Sequence, residues 1–262
     1  MFCSKKQKQL KAGLIPGIIV CLAVAVLVTG YHHLDYNWQW YRVRPYFFSF
    51  EEGRFVHGPL LSGLVITLKI SGLGLVFALL IGVVSALARL SSFPVLRAMS
   101  FAYVEVIRNT PLLIQIFVIY FVISPVLDMS AFFSAVTALS LFEGAYSSEI
   151  IRAGILGIPK GQIEAAMSLG IAPKDIYIRV IFPQLLPQTL PMLAGQGVSL
   201  IKDSALVSTI SIYDLTMQGQ KIVSQTFLTF EIWFTVALCY LFINAVLSFI
   251  IRRFENKTRR IS

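Results

Sequence analysis

Six stretches of this chain, at about 14–30, 60–88, 98–123, 131–156, 185–208 and 231–251, are apolar over the length of a membrane-crossing helix. Hydrocarbon about 30 Å thick needs roughly 20 helical residues at 1.5 Å each. Charge is equally restrictive. Only 13% of the 262 residues are charged while 56% are hydrophobic, about half the charge of a soluble globular domain. A soluble core of this size needs a charged exterior, and too few charged residues exist to make one. Disorder, a coiled coil, a disulfide scaffold and a soluble enzyme are therefore excluded. The predicted fold class is an all-α integral membrane protein of six transmembrane helices, with most of its surface facing lipid.

The net charge of +9 would suggest nucleic acid only if the basic residues formed one folded patch. They alternate instead. Lys5, Lys6, Lys8 and Lys11 precede the first apolar stretch, and Arg89 and Arg97 lie between the second and third. Arg152, Lys160, Lys174 and Arg179 lie between the fourth and fifth, and Arg252, Arg253, Lys257, Arg259 and Arg260 follow the last. If these share one side it holds fifteen basic residues, against four (Arg42, Arg44, Arg54 and Lys221) on the other. That imbalance is the positive-inside signature and predicts both termini in the cytoplasm, with no nucleic-acid partner.

Cys3, Cys21 and Cys239 have no paired spacing, and His32, His33 and His57 have no third ligand nearby, so no disulfide framework or metal site is predicted. The first apolar stretch follows a basic segment and lacks a small-x-small cleavage site before Tyr31, which predicts an uncleaved anchor. Residues 31–59 are rich in aromatics, from Tyr31 to Phe50. They read as an interfacial belt, or more sharply as a docking surface for an external partner.

The most informative segment runs from Ile158 to Pro183. Gly161 to Leu169 holds good helix formers, and Gly170 can take the left-handed conformation that ends a helix. Pro173 suits the first turn of a second short helix with Asp175 at its positive end. Pro183 is predicted to stop regular structure before the fifth span. Ala165 and Ala166 lack bulk, so the first helix can lie deep in a partner's groove.

Here the chain resembles a known family. Glu164-Ala165-Ala166, three intervening residues, Gly170, nine more and then Val180-Ile181-Phe182-Pro183 is similar to the EAA motif of ABC importer permeases. The family form ends Ile-x-Leu-Pro, so Val180 and Phe182 depart from it while staying apolar. Thr67 to Ser71, Tyr103 to Gln115, Ala145 to Arg152 and Leu200 to Leu206 resemble the polar amino acid branch; Arg108 to Pro111 and Leu200 to Leu206 look most like its glutamate/aspartate permeases, with glutamine, basic amino acids and opines left open. The resemblance covers roughly 60–252. It implies a five-helix core preceded by one extra helix, and this division of the chain: 1–59 as tail, anchor and aromatic external loop; 60–252 as transmembrane domain with a coupling loop at 157–183; 253–262 as a basic cytoplasmic tail. It also implies a permease of the bacterial inner membrane that is not itself an enzyme and has no catalytic residue. Its partners would be ABC ATPase subunits, an extracytoplasmic solute-binding protein and a second permease, identical or similar. The chain has no G-x-x-x-x-G-K-[ST], so ATP and Mg would belong to the ATPase and this chain would carry no cofactor. Gly161, Glu164, Ala165, Ala166 and Gly170 are the predicted ATPase-coupling residues.

Polar groups at membrane depth cost several kcal/mol unless paired or hydrated, which makes them site candidates. Arg108, Thr110 and Gln115 flank Pro111 in the third span, Tyr146 and Glu149 share one face of the fourth, and Lys202 and Asp203 sit deep in the fifth. These seven are expected to surround or gate a path of both charge signs, suited to an α-amino acid. Pairing among themselves to hold the bundle is the competing reading. An ion-coupled secondary transporter or channel would use the same intramembrane charges but leaves the 158–183 loop unexplained. An intramembrane enzyme lacks G-x-S-x-G, H-E-x-x-H and any histidine within a span.

Overall fold

A computed structural model describes residues 36–51 and 54–258. The first apolar stretch, Cys3, Cys21, His32 and His33 lie outside the described residues. Two compact units divide at Trp40. In the first, Tyr36 meets Trp38 edge-on at 5.2 Å, and Trp38 stacks on Trp40 at 5.9 Å.

In the second unit a 3₁₀ turn at Arg44–Tyr46 leads into an antiparallel hairpin, β1 (Phe48–Glu51) and β2 (Arg54–His57), that pairs Phe48 with His57. The sequence predicts no strand there. All other regular structure among the described residues is helical. α1 (Pro59–Leu90) is followed by α2 (Pro94–Arg108), then α3 (Leu112–Phe117), which continues through a π-helical turn at Val118–Ile123 into α4 (Ser124–Leu127). α5 (Ala131–Leu156) leads to the short α6 (Lys160–Ser168) and α7 (Pro173–Ile176). A second π-helical turn, Tyr177–Ile181, opens into α8 (Phe182–Asp203), which tightens to a 3₁₀ turn at Ser204–Ile210. α9 (Leu215–Thr226) and α10 (Thr229–Thr258) are the last described elements.

Among the described residues, α1 and α10 are long and apolar enough to cross a membrane alone, and the bent pair α2 and α3–α4 makes a third candidate. α5 and α8 are long enough, at 26 and 22 residues, but more polar. The reason is position. α10 is only 11% buried over its apolar window, whereas α5 is enclosed by other helices and buries Ser134, Ser140, Glu143, Ser147 and Ser148. Hydropathy selects helices that face lipid and undervalues one that faces protein.

The third span kinks at Pro111, where α2 and α3 meet at a 110° bend. One sequence expectation changes: Pro183 does not stop regular structure. It sits in the first turn of α8, and Pro187 and Pro191 are accommodated inside that helix. The wide turn just before Pro183 moves backbone carbonyls away from the ring and absorbs its missing N–H.

The core is the contact of α1 with α5. Gly74, Ala78, Gly82 and Ala86 recur every four residues on α1 and are all buried, so the two backbones approach closely. A Cβ built on Gly82 would lie 2.7 Å from Ser147 Cβ and 3.3 Å from the Gly144 carbonyl. Gly82→Val is expected to cost about 1–3 kcal/mol through overpacking, read as earlier unfolding of the solubilised complex. Hydrogen bonds between helices supplement packing. Ser85 and Ser100 Oγ atoms are 2.6 Å apart, and the Tyr103 hydroxyl donates to the Leu141 carbonyl at 2.7 Å.

At the opposite end of the bundle from α6, Asp214 caps α9 by accepting from Met217 N at 2.8 Å. It lies in the connection between α8 and α10, outside the spans. Burial pushes its carboxyl up to about 6, against the backbone N–H groups that pull it down. A raised carboxyl favours the folded state when protonated, so that contribution is present below pH ~4 and is lost as pH rises through about 6. Asp214→Asn keeps the cap and removes the titration. Thermal unfolding of wild type relative to this variant should weaken by about 2–3 kcal/mol between pH 4 and 7.5.

Candidate functional site

The predicted coupling segment is a helix held away from the bundle by a buried foot. Ala166 is 5% exposed and packs with Ala86, Ile151, Ile155, Ile158, Ile176 and Ile181. Gly161, Glu164 and Ala165 on the other faces of α6 are exposed. Ala166 thus faces inward, apart from the other predicted coupling residues. The helix ends as its sequence predicts. Gly170 takes φ +74°, Gly170 N donates to Met167 O at 2.9 Å, and Ile171 N donates to Ala166 O at 3.2 Å. This paired closure satisfies the last carbonyls while Ile171 packs beside Ala166. Gln184 Nε2 donates to Gln162 Oε1 at 2.7 Å, fastening α6 to α8. Two residues missed by the sequence reading complete the outer face: Met167 is 58% exposed and Leu169 79%. Apolar side chains beside the motif on a short amphipathic helix were the available signal.

The polar candidates resolve into separate groups. Glu149 forms ion pairs with Arg89 of α1 and, at 2.9 Å, with Arg152 one turn along α5. The Arg108 guanidinium lies 5.3 Å from the Tyr146 ring centre. Gln115 is local. Its Nε2 donates to the carbonyls of Ile107 at 2.7 Å and Thr110 at 3.0 Å, closing the end of α2 at the bend. The Thr110 hydroxyl donates to Val106 O. Both side chains therefore satisfy carbonyls that Pro111 leaves without donors.

Lys202 is exposed at the end of α8, and half-buried Asp203 adjoins Glu143 of α5. Glu143 is the residue the sequence list omits. It is 1% exposed, and its Oε2 has no hydrogen-bond partner among the described residues. A glutamate in the middle of an apolar stretch was the available signal. On α5, Glu143, Tyr146, Glu149 and Arg152 recur every three residues, so successive side chains step around the helix over about 14 Å and meet different neighbours.

Residues 59–260 match the family described as binding-protein-dependent transport system inner membrane component. The chain is 38% identical over 203 residues to the glutamine transport system permease protein GlnP of Escherichia coli K12, covering 76% of this chain and 93% of that protein. It is 41% identical over 166 residues to the L-cystine transport system permease protein TcyB of Bacillus subtilis, covering 63% of this chain and 71% of that one. Among solved structures, an amino acid ABC transporter crystallised with histidines matches at 37% identity and TM-score 0.70, over 76% of this chain and 94% of that one. The MetNI methionine ABC transporter in an inward-facing form shares the fold at 20% identity and TM-score 0.65, over 76% of this chain and 95% of that one. The ATPase and binding protein are partners that a transport system of this type implies. The chain belongs to the binding-protein-dependent inner membrane components, as a permease subunit of an ABC transporter and not itself an enzyme.

Proposed function

We propose that this permease carries a polar amino acid from an external binding protein across the inner membrane by alternating access, with both termini and α6 on the cytoplasmic side. The observation that carries the reading is the outer face of α6, where Glu164, Ala165, Met167 and Leu169 stand exposed on a helix rooted by Ala166. Gly161 leaves room for close approach, since a Cβ there would meet nothing within 4 Å, and Gly170 ends the helix so that α7 can turn back. The ATPase subunits, which hold ATP and Mg, would seat this face, and their closure would move α5 and α8. A second permease, identical or similar, completes the path.

Glu143 and Tyr146, one turn apart on α5, support an amino acid as cargo. Glu143 beside Asp203 offers carboxyl oxygens to an ammonium, and Arg108 over Tyr146 offers a cation to a carboxylate. Gln115 and Thr110 serve the bend, and Glu149 is held between two arginines. Relatives named for glutamine and L-cystine, and a third named for nopaline, support polar amino acids broadly. They lend no support to the glutamate or aspartate preference read from the Arg108 to Pro111 and Leu200 to Leu206 segments, so glutamine is the first cargo to test.

The test is reconstitution with the ATPase and binding protein in liposomes. Uphill glutamine accumulation should require ATP beside the ATPase. Lys202→Glu should lower its rate by an order of magnitude with assembly unchanged. Accumulation by the permease alone under an imposed ion gradient would establish the ion-coupled alternative instead.

A further inference from the structure

Three arginines from three helices converge on one hollow that the transport reading does not use. Arg89 of α1, Arg97 of α2 and Arg152 of α5 line a cavity of about 360 Å³ with Pro94, Ala98 and Phe101. Phe101 lies under the Arg89 guanidinium at 5.3 Å, and Glu149 holds Arg89 and Arg152 from behind. Glu149 offsets one of the three charges. Glu105 and Arg108 act on Arg89 from farther along α2 and oppose each other. Arg97 is exposed and forms no ion pair among the described residues. The hollow therefore carries a net positive charge, with two guanidinium groups pre-positioned and a third free to close on an anion.

Its surroundings identify the source of that anion. Phe93, Val95, Leu96 and Met99 are 50–67% exposed around the same first turns of α2. A rim of exposed apolar side chains is costly in water and suits the boundary between acyl chains and headgroups. Guanidinium forks match phosphate oxygens in pairs, and basic pockets between membrane helices favour acidic headgroups. We propose that Arg89, Arg97 and Arg152 bind the phosphate of an anionic phospholipid from the leaflet next to α6, its acyl chains lying along the apolar start of α2. The site does not depend on the coupling or cargo assignments.

Native mass spectrometry of the permease–ATPase complex, extracted from vesicles of phosphatidylcholine and phosphatidylglycerol, reads the site directly. Wild type should retain phosphatidylglycerol in preference to phosphatidylcholine. Arg97→Glu should reduce that retention at least fivefold, with Arg97→Ala intermediate. Arg97 makes no ion pair among the described residues, so both variants should assemble normally. Lys221→Glu, at the far end of the bundle, should retain lipid as wild type does. Thermal stabilisation by added phosphatidylglycerol should likewise disappear in Arg97→Glu. Equal retention in Arg97→Glu and wild type would overturn the proposal. Equal stabilisation by millimolar glycerol phosphate would also overturn it, in favour of a soluble anion. Neither result bears on ATP-dependent uptake.

Discussion

Glu164→Lys in the assembled complex is expected to abolish the stimulation of ATP hydrolysis by liganded binding protein, lowering it at least tenfold to the unstimulated rate. Glu164 is exposed on α6 and touches nothing in the bundle core, so the change should leave the permease folded. What it alters is the face offered to the ATPase. A seat built for a carboxylate gains a like-charge repulsion, and one unpaired charge at a close interface costs several kcal/mol. Leu169→Ser tests the apolar part of the same face. At 79% exposure it should weaken ATPase binding by about 1–2 kcal/mol through lost burial alone. Ala166→Leu acts differently, because Ala166 faces the bundle. It should loosen the root of α6 and lower stability before it changes ATPase affinity. Full stimulation in Glu164→Lys, measured as ATP turnover with and without liganded binding protein, would remove the coupling role.

The second large effect is at Glu149. Replacing it with alanine leaves Arg89, 12% exposed, beside Arg152, 29% exposed, with no counter-ion between them. Removing one partner of a buried pair costs about 3–5 kcal/mol, and partial solvent access here reduces that to roughly 2–3 kcal/mol. Unfolding of the solubilised complex should shift accordingly. Adding Arg89→Met to Glu149→Ala should recover a large part, because it removes the stranded cation and keeps an apolar side chain against Phe101. Stability of the single variant within about 0.5 kcal/mol of wild type would mean that the three charges are independently solvated. Glu149→Gln separates structure from transport. If Glu149 serves only the ion pair, uptake per folded complex should survive while stability falls.

Much of the coupling segment was legible in the sequence because its signals are local. A helix followed by Gly170 in the left-handed region and Pro173 in a first turn depends on backbone preferences that neighbours do not alter, and both appear where predicted. Which face of α6 points outward was not legible. Glu164-Ala165-Ala166 reads as one unit, yet the helical turn sends Ala166 into an isoleucine cluster drawn from α1, α5 and the α7–α8 region. Pro183 was misjudged for a related reason. A proline costs a helix only if the preceding carbonyls stay in place, and the π-helical turn at Tyr177–Ile181 moves them.

The sequence by itself determined that this chain lives in a membrane, because hydropathy is a sum over residues, and that a short helix ends at Gly170, because that stop is a local backbone preference. It also named most of the intramembrane polar groups. The tertiary structure alone decided their partners. Glu149 lies between Arg89 and Arg152, Arg108 over Tyr146, and Glu143 beside Asp203. Those pairings depend on how closely α1 approaches α5 and where α2 bends. Helix spacing is set by small residues meeting across an interface, and no single helix's sequence states which other helix it will meet.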